Sequence, residues 1–509
     1  MILIKQDWGI MEKVLDIGEE YLAELDLDEQ DSKFSPSPLP VAELKNILKA
    51  GDNLKLIEKK YGYFDIDGIT GVQYSPYDDA SLLRRSVLHR LTLKGERPIP
   101  LELISKIGVE DEKVIDISNR LHESVRESAI FQYNQMKFWN TAKLPAPLVL
   151  GLRHRREEGH DCYYLVMEFW PGPTHDLNLL ALRQARKSLD TAGVMQRDLE
   201  NILNNYRAAI DGEVETIVKS AIDAVRTFHL VGTKEIKKPV NERFNKKVMP
   251  VNVEEFYLDK RGLHYLKLLT QYLSSAGFSG NGRNNKRVGM EELEKRFIDS
   301  FRVMLRPFNE KNRLYYAQGD EYFHHSQFLS RNGERKSGLF DADHVTWTRP
   351  EYSHAKMLTS HLLGLSKEDE LRYAIYAFFP DDRNEKYDRR LFTRDGVIRD
   401  YVLASIKTRF FDIGKRASDG IRNRERSETL CFGGVPFPKM HKLNFPVLPH
   451  VPSAVNYPSV PETINLQKRA LEDRFNAVEN RDAGYGLITE DERGAVLRLR
   501  GILGEIGLY

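Results

Sequence analysis

Only two cysteines, Cys162 and Cys431, occur in 509 residues. That is too few for a disulfide framework or a thiolate metal site, and it suits a reducing, intracellular setting. No run of about 18 apolar residues is present, which excludes a helical membrane span. The stretch from Met1 to Trp8 lacks the apolar core of a secretory signal. A cytoplasmic location with no membrane partner is therefore the expectation. Charge of one sign is also missing. Lys and Arg number 76 against 75 Asp and Glu, so no global field pulls the chain toward nucleic acid or an anionic surface. Internal repeats and low-complexity tracts are absent too. What is present is ordinary globular material, 41% hydrophobic and 10% aromatic, long enough for two or three domains with a sizeable core.

Periodicity divides the chain. Residues 1–54 read as an N-terminal extension holding an acidic helical segment and the proline-punctuated loop from Ser35 to Pro40. Alternation marks strands at Tyr63–Ile66, Val87–Leu93 and Lys113–Ile117. A helix follows over 121–140, with Val125, Ile130, Tyr133 and Phe138 near one face, and Pro145 and Pro147 end it. Two strands come next, Leu148–Leu150 and Tyr163–Met167. Beyond Gly172 the pattern turns helical. Leu199 to Ile210 and Ile217 to Phe228 predict two successive helices, Leu263 to Leu273 a third and Leu293 to Leu305 a fourth. Further helices are expected near 352–364, 367–378 and 394–416, then a proline-rich tail from Cys431 to Pro461 and two closing helices.

Within the helical part lies an acidic pair. Arg313–Ala317 leads into Gln318-Gly319-Asp320, and Gly338-Leu339-Phe340 leads into Asp341-Ala342-Asp343-His344. Each reads as a short apolar strand ending at carboxylates, and the turn Ser330–Glu334 between them predicts a hairpin with acids on one edge. Metal-assisted phosphoryl transfer needs one carboxylate to orient a hydroxyl and another to hold a cation on the phosphates.

In this order the motifs resemble the aminoglycoside phosphotransferase and choline kinase group of the protein-kinase-like superfamily. Gln318-Gly319-Asp320 stands where that group has His-Gly-Asp, and Asp341-Ala342-Asp343 where it has Asp-Phe-Asp or Asp-Phe-Glu. Tyr164–Gly172 is similar to its hinge, and Arg126-Glu127-Ser128-Ala129 to the start of the helix that supplies an ion-pairing Glu. The resemblance spans roughly 60–380. It implies an α+β, two-lobed protein-kinase-like fold: a β-rich N-lobe at 55–170, a helical C-lobe at 171–430 with a large helical insertion at about 176–312, and a C-terminal extension at 431–509.

The resemblance further implies ATP and Mg²⁺ as cofactors and a hydroxyl-bearing, small-molecule acceptor meeting the insertion. Asp320 takes the catalytic position. Asp341, Gln327 and Asp343 take the metal positions, with His325 as the alternative to Gln327. Met167, Glu168, Phe169 and Trp170 form the adenine-binding hinge, and Glu127 pairs the phosphate-binding lysine. For that lysine Asp116 aligns best but has the wrong charge, leaving Lys113, Lys94 or Arg90. Glycines from Gly62 to Gly71 offer a phosphate loop or plain turns.

Other readings have their own residues. A pseudokinase, acting as a nucleotide- or protein-binding module through the insertion or tail, fits the missing lysine and the replaced His and Asn. His324, His325, His344 and His354 near the acids suggest a di-metal phosphoesterase, although His-Glu-x-x-His and His-x-Asp runs are absent. Basic stretches at 153–156, 234–247 and 415–426 are interspersed with acids and read as solvated helix faces rather than a nucleic-acid surface.

Overall fold

The computed structural model describes residues 36–76, 86–95, 99, 101–110, 124–170, 174–191, 197–248, 257–258, 261–275, 289–309, 313–331, 334–380, 386–425 and 458–509. The chain divides into two units, the described parts of Met1–Tyr133 with Val149–Phe169, and those of Asn134–Leu148 with Trp170–Tyr509.

The first unit is built on a five-stranded antiparallel sheet. Its strands are β1 (Ile69–Pro76), β2 (Ser86–Gly95), β3 (Glu102–Glu110), β4 (Val149–Glu157) and β5 (His160–Glu168), in the order β1-β2-β3-β5-β4. Residues paired across an antiparallel ladder share a face. One face carries Leu91, Leu103, Ile107, Tyr164 and Val166, all buried. On it lie the helices α1 (Val41–Lys49) and α2 (Asn53–Tyr61), packed so closely that a Cβ on Gly151 would meet Ile47 at 2.8 Å. The other face carries Arg90, Ile104, Lys106, Gly108 and Met167. There a Cβ on Gly108 would come within 2.6 Å of Val125, in the first turn of α3 (Val125–Thr141).

Two strand expectations change. Tyr63–Ile66 is a loop whose apolar residues Phe64 and Ile66 are buried. Asp65 Oδ1 accepts from the Gly68 amide at 3.0 Å, an Asx-type turn that draws the backbone out of extended pairing. The third strand is β3, in a stretch where no strand was expected. The segment Lys113–Ile117 lies outside the described residues.

The second unit is mainly helical: α4 (His175–Thr191), α5 (Arg197–Thr227), α6 (Leu263–Ser275), α7 (Met290–Leu305), α8 (Pro350–Leu358), α9 (Lys367–Phe378), α10 (Arg394–Glu425), α11 (Val460–Glu479) and α12 (Glu490–Glu505). The two helices expected before Phe228 are one, α5, which runs through Gly212. A Cβ at Gly212 meets nothing within 4 Å, and a solvent-facing helical glycine costs only about 1 kcal/mol. At its centre α10 packs against α6, α8, α9 and α11. Its Arg409 and the α11 residue Arg474 both bond the buried Glu370 of α9. The C-terminal helices are integral to this body. Ser459 and Thr489 open α11 and α12 with capping boxes, and Arg296 of α7 forks onto Glu505 of α12 at 2.6 and 2.9 Å.

Two small ladders carry the acidic segment. Strand β6 (Tyr315–Ala317) pairs with β9 (Thr346–Thr348), and β7 (Ser326–Arg331) forms a hairpin with β8 (Glu334–Leu339). The strand before Asp320 is therefore not a strand of the hairpin. The acids sit where the chain enters and leaves it. No helix among the described residues is long and apolar enough to cross a membrane.

Candidate active site

The hairpin is anchored from below. Ser337 of β8 takes Ser220 Oγ of α5 on its amide at 2.9 Å, and its hydroxyl meets His175 Nε2 of α4 at 2.6 Å. The Leu339 amide donates to Pro145 O at 2.9 Å. Strand β6 is fixed by Tyr316, whose hydroxyl accepts from Trp139 Nε1 at 2.5 Å and donates to Gln135 Oε1 at 3.0 Å.

On this base the two acidic loops interlock. Gly319 has φ +90°, and a Cβ there would lie 1.7 Å from the His344 carbonyl oxygen, so only glycine fits. Gln318 is fully buried. Its Nε2 donates to the carbonyls of Phe340, at 3.0 Å, and Asp341, while its Oε1 accepts from the Asp320 amide at 2.9 Å. One side chain thus ties both loops. Asp341 is held at φ +67°, a left-handed conformation that a non-glycine residue adopts only when its surroundings impose it.

Between the carboxylates lies His325. Its Nδ1 is 2.9 Å from the Asp320 carbonyl oxygen and 3.5 Å from Asp320 Oδ2, and its Nε2 is 3.4 Å from Asp341 Oδ2. Asp320 and Asp341 keep about a quarter of their side-chain surface open to solvent, 23% and 27%. Lys356 of α8 is buried, donates Nζ to the Gly319 carbonyl and stands 4.0 Å from Asp320 Oδ1.

Electrostatics follow from this packing. Burial would raise the Asp320 carboxyl, but His344, His325, Lys356 and Lys415 outweigh it and hold it well below the usual carboxylate range. His344 is itself pushed down by burial, to about 4. At neutral pH its ring is uncharged, so lysines carry much of the field. Burial also lowers Lys356, against the pull of Asp320 and Glu321. A carboxylate this acidic is a weak base. It suits accepting a hydrogen bond from a hydroxyl rather than removing its proton outright.

The other sequence-derived positions are distributed as follows. Gln327 is buried in β7 opposite Gly338, and its Nε2 donates to Trp170 O at 2.9 Å. Its amide is turned to the connector. His325 is the residue whose nitrogen shares a span with Asp341. Asp343 is half-buried on the turn after Asp341. In the first unit Met167 pairs with Ile104 and Val149, and the Phe169 amide donates to Glu102 O at 2.9 Å. Glu168 is buried, with its carboxylate on Lys60 and Tyr61, so its side chain ties α2 to the sheet. Glu127 is exposed near the start of α3. Lys113 and Asp116 lie outside the described residues.

Sequence reasoning missed two cations. Lys106 is half-buried in the middle of β3, level with Leu88 and Leu165 on the face that meets α3. The alternation of buried Leu103, Ser105 and Ile107 with half-buried Ile104 and Lys106 was available as a signal. Lys356 had none, since it reaches Asp320 from a helix 36 residues further along.

An antiparallel sheet with a helix after its third strand, a connector and a helical unit bearing paired acidic loops is an α+β arrangement, in the order of elements that the resemblance to aminoglycoside phosphotransferases and choline kinases implies. No family model and no curated protein matches the chain. Among solved structures it is similar to choline kinase from Cryptosporidium parvum (8% identity, 87% of this chain and 96% of that one, TM-score 0.44). It is also similar to ethanolamine kinase from Plasmodium vivax (10%, 78% and 93%, TM-score 0.41). A third is a spectinomycin phosphotransferase in complex with ADP and spectinomycin (10%, 77% and 92%, TM-score 0.37).

Proposed function

We propose that this chain is an ATP- and Mg²⁺-dependent phosphotransferase that moves the γ-phosphoryl group to a hydroxyl of a small-molecule acceptor. The observation that carries the reading is the pair of carboxylates, Asp320 and Asp341, held on either side of His325 by loops that Gln318 and Gly319 lock together. Asp320 is the catalytic residue: it accepts the acceptor's hydroxyl hydrogen, fixes its direction of approach and takes the proton as the bond forms. Asp341 and His325 would hold the divalent cation, and a bound cation supplies charge neutralisation on the phosphates. Among the described residues no group of three or more His, Cys, Asp and Glu side chains is set to hold an ion. Such a cation therefore needs oxygens from the nucleotide as well. Lys106 takes the role of the phosphate-binding lysine, from the third strand where the family resemblance requires one. Lys356 is a positioning residue that fixes the Gly319 carbonyl and keeps Asp320 ionised.

The test is metal-dependent binding of ATP by thermal shift, then ATP consumption with a panel of alcohols, for wild type and Asp320→Ala. Nucleotide binding in both proteins with turnover only in wild type supports the reading. Binding without turnover in either favours the pseudokinase, and no binding with any divalent cation ends the proposal.

A further inference from the structure

His325 occupies the position at which an oxygen ligand was expected, and its hydrogen bonding defines which nitrogen faces the cation. A backbone carbonyl can only accept, so the 2.9 Å contact to Asp320 O makes Nδ1 the N–H donor. A ring N–H donating to a carbonyl is the contact that orients metal-binding histidines and leaves the opposite nitrogen for the ion. The opposite nitrogen here, Nε2, lies 3.4 Å from Asp341 Oδ2. One ion could be reached by both donors across that span. The anchoring is rigid on both sides. Asp341 is pinned in its left-handed conformation by Gln318, and the His325 amide closes its own turn onto Tyr322 O at 3.0 Å.

We infer that His325 Nε2 and Asp341 Oδ2 form a mixed nitrogen–oxygen site that favours a first-row transition-metal ion, of the Co²⁺ or Zn²⁺ kind, over Mg²⁺. Imidazole is a good ligand for those ions, whereas Mg²⁺ prefers oxygens in near-ideal octahedral geometry. The inference rests on the phosphotransfer reading, in which the nucleotide completes the coordination, and it changes which cation that reading employs.

The experiment uses the full chain with a non-hydrolysable ATP analogue, titrated with Co²⁺ and separately with Mg²⁺. The readouts are calorimetry and the visible ligand-field band of Co²⁺, neither of which needs turnover. Wild type is expected to bind Co²⁺ at least about tenfold more tightly than Mg²⁺. It should also show the more intense band of a low-symmetry nitrogen-containing site. His325→Asn, which restores an oxygen donor, should lower the Co²⁺-to-Mg²⁺ affinity ratio by about tenfold or more and weaken the band while still binding the analogue. Asp341→Asn should lose affinity for both ions. An equal ratio in wild type and His325→Asn overturns the inference and leaves phosphotransfer standing, since an imidazolium bridging the two carboxylates would behave that way. Wild type that prefers Mg²⁺ overturns it without recourse to any variant. Failure of wild type to bind the analogue with either ion overturns both the inference and the function on which it rests.

Discussion

Four histidines of the helical unit, His175, His229, His344 and His354, are kept uncharged by burial. His175 and His229 are pushed down to about 3, His344 to about 4, and His354 well below its ordinary value of 6.5. In the unfolded chain each regains a value near 6.5 and takes a proton that the folded protein refuses. Stability is therefore whole above about pH 6.5 and falls as the pH drops toward the folded values. Between pH 7 and pH 5 each of the three with a defined value removes about 2 kcal/mol. Asp400 works in the opposite direction. Burial, with Glu351 beside it, pushes its carboxyl up to about 6, so its proton stabilises the fold by about 1 kcal/mol over the same interval. The net loss is about 5 kcal/mol before His354 is counted, a large part of the 5–15 kcal/mol typical of a domain. Urea unfolding at pH 7, 6 and 5, followed by near-UV circular dichroism of the buried Trp139, measures it. The same data should show an uptake of about three protons on unfolding near pH 5.5, His354 included. A midpoint that stays constant from pH 7 to pH 5 would refute the reasoning, because the histidines would then have the same proton affinity in both states.

Three further outcomes test the site. Asp320→Ala should reduce turnover by about 10³-fold or more while leaving nucleotide affinity within a few-fold, read as kcat against KM for ATP. Gly319→Ala must displace a backbone carbonyl 1.7 Å away and adopt φ +90°. It is expected to cost several kcal/mol, and an unchanged Tm would show that the two loops are not in contact. Lys106→Met should weaken analogue binding at least about tenfold, with Lys106→Arg retaining more of it than the neutral variant. Equal affinity in wild type and Lys106→Met would remove Lys106 from the phosphate site.

How far the sequence could be read depended on the range of the interactions. The acids and Gly319 were legible because a short apolar strand followed by glycine and carboxylate is a local pattern. The third strand was misplaced because Lys113–Ile117 has a denser apolar run than β3, whose buried positions include Ser105. What defines β3 is its pairing with β2 and β5, and such pairing leaves only a weak local trace. A break was read between Ile210 and Ile217, since Asp211-Gly212 looks like a turn, yet packing against α4 and β8 carries α5 through it. Choosing between His325 and Gln327 required knowing which way each side chain turns. The 3₁₀ turn at Phe323–His325 leaves His325 directly ahead of β7, between Asp320 and Asp341. Lys356 was beyond sequence reasoning, because nothing near it in the chain refers to Asp320.

The close approach of Gly319 to His344 has a consequence for protein engineering. Neither acidic loop has a shape of its own: each is the mould of the other, and Gln318 belongs to both. Transplanting the Asp320 loop alone, or the Asp341 loop alone, into a related scaffold would deliver a carboxylate with nothing to aim it. The smallest portable piece is the whole segment from Tyr315 to Thr348, closed at its two ends by the β6–β9 ladder.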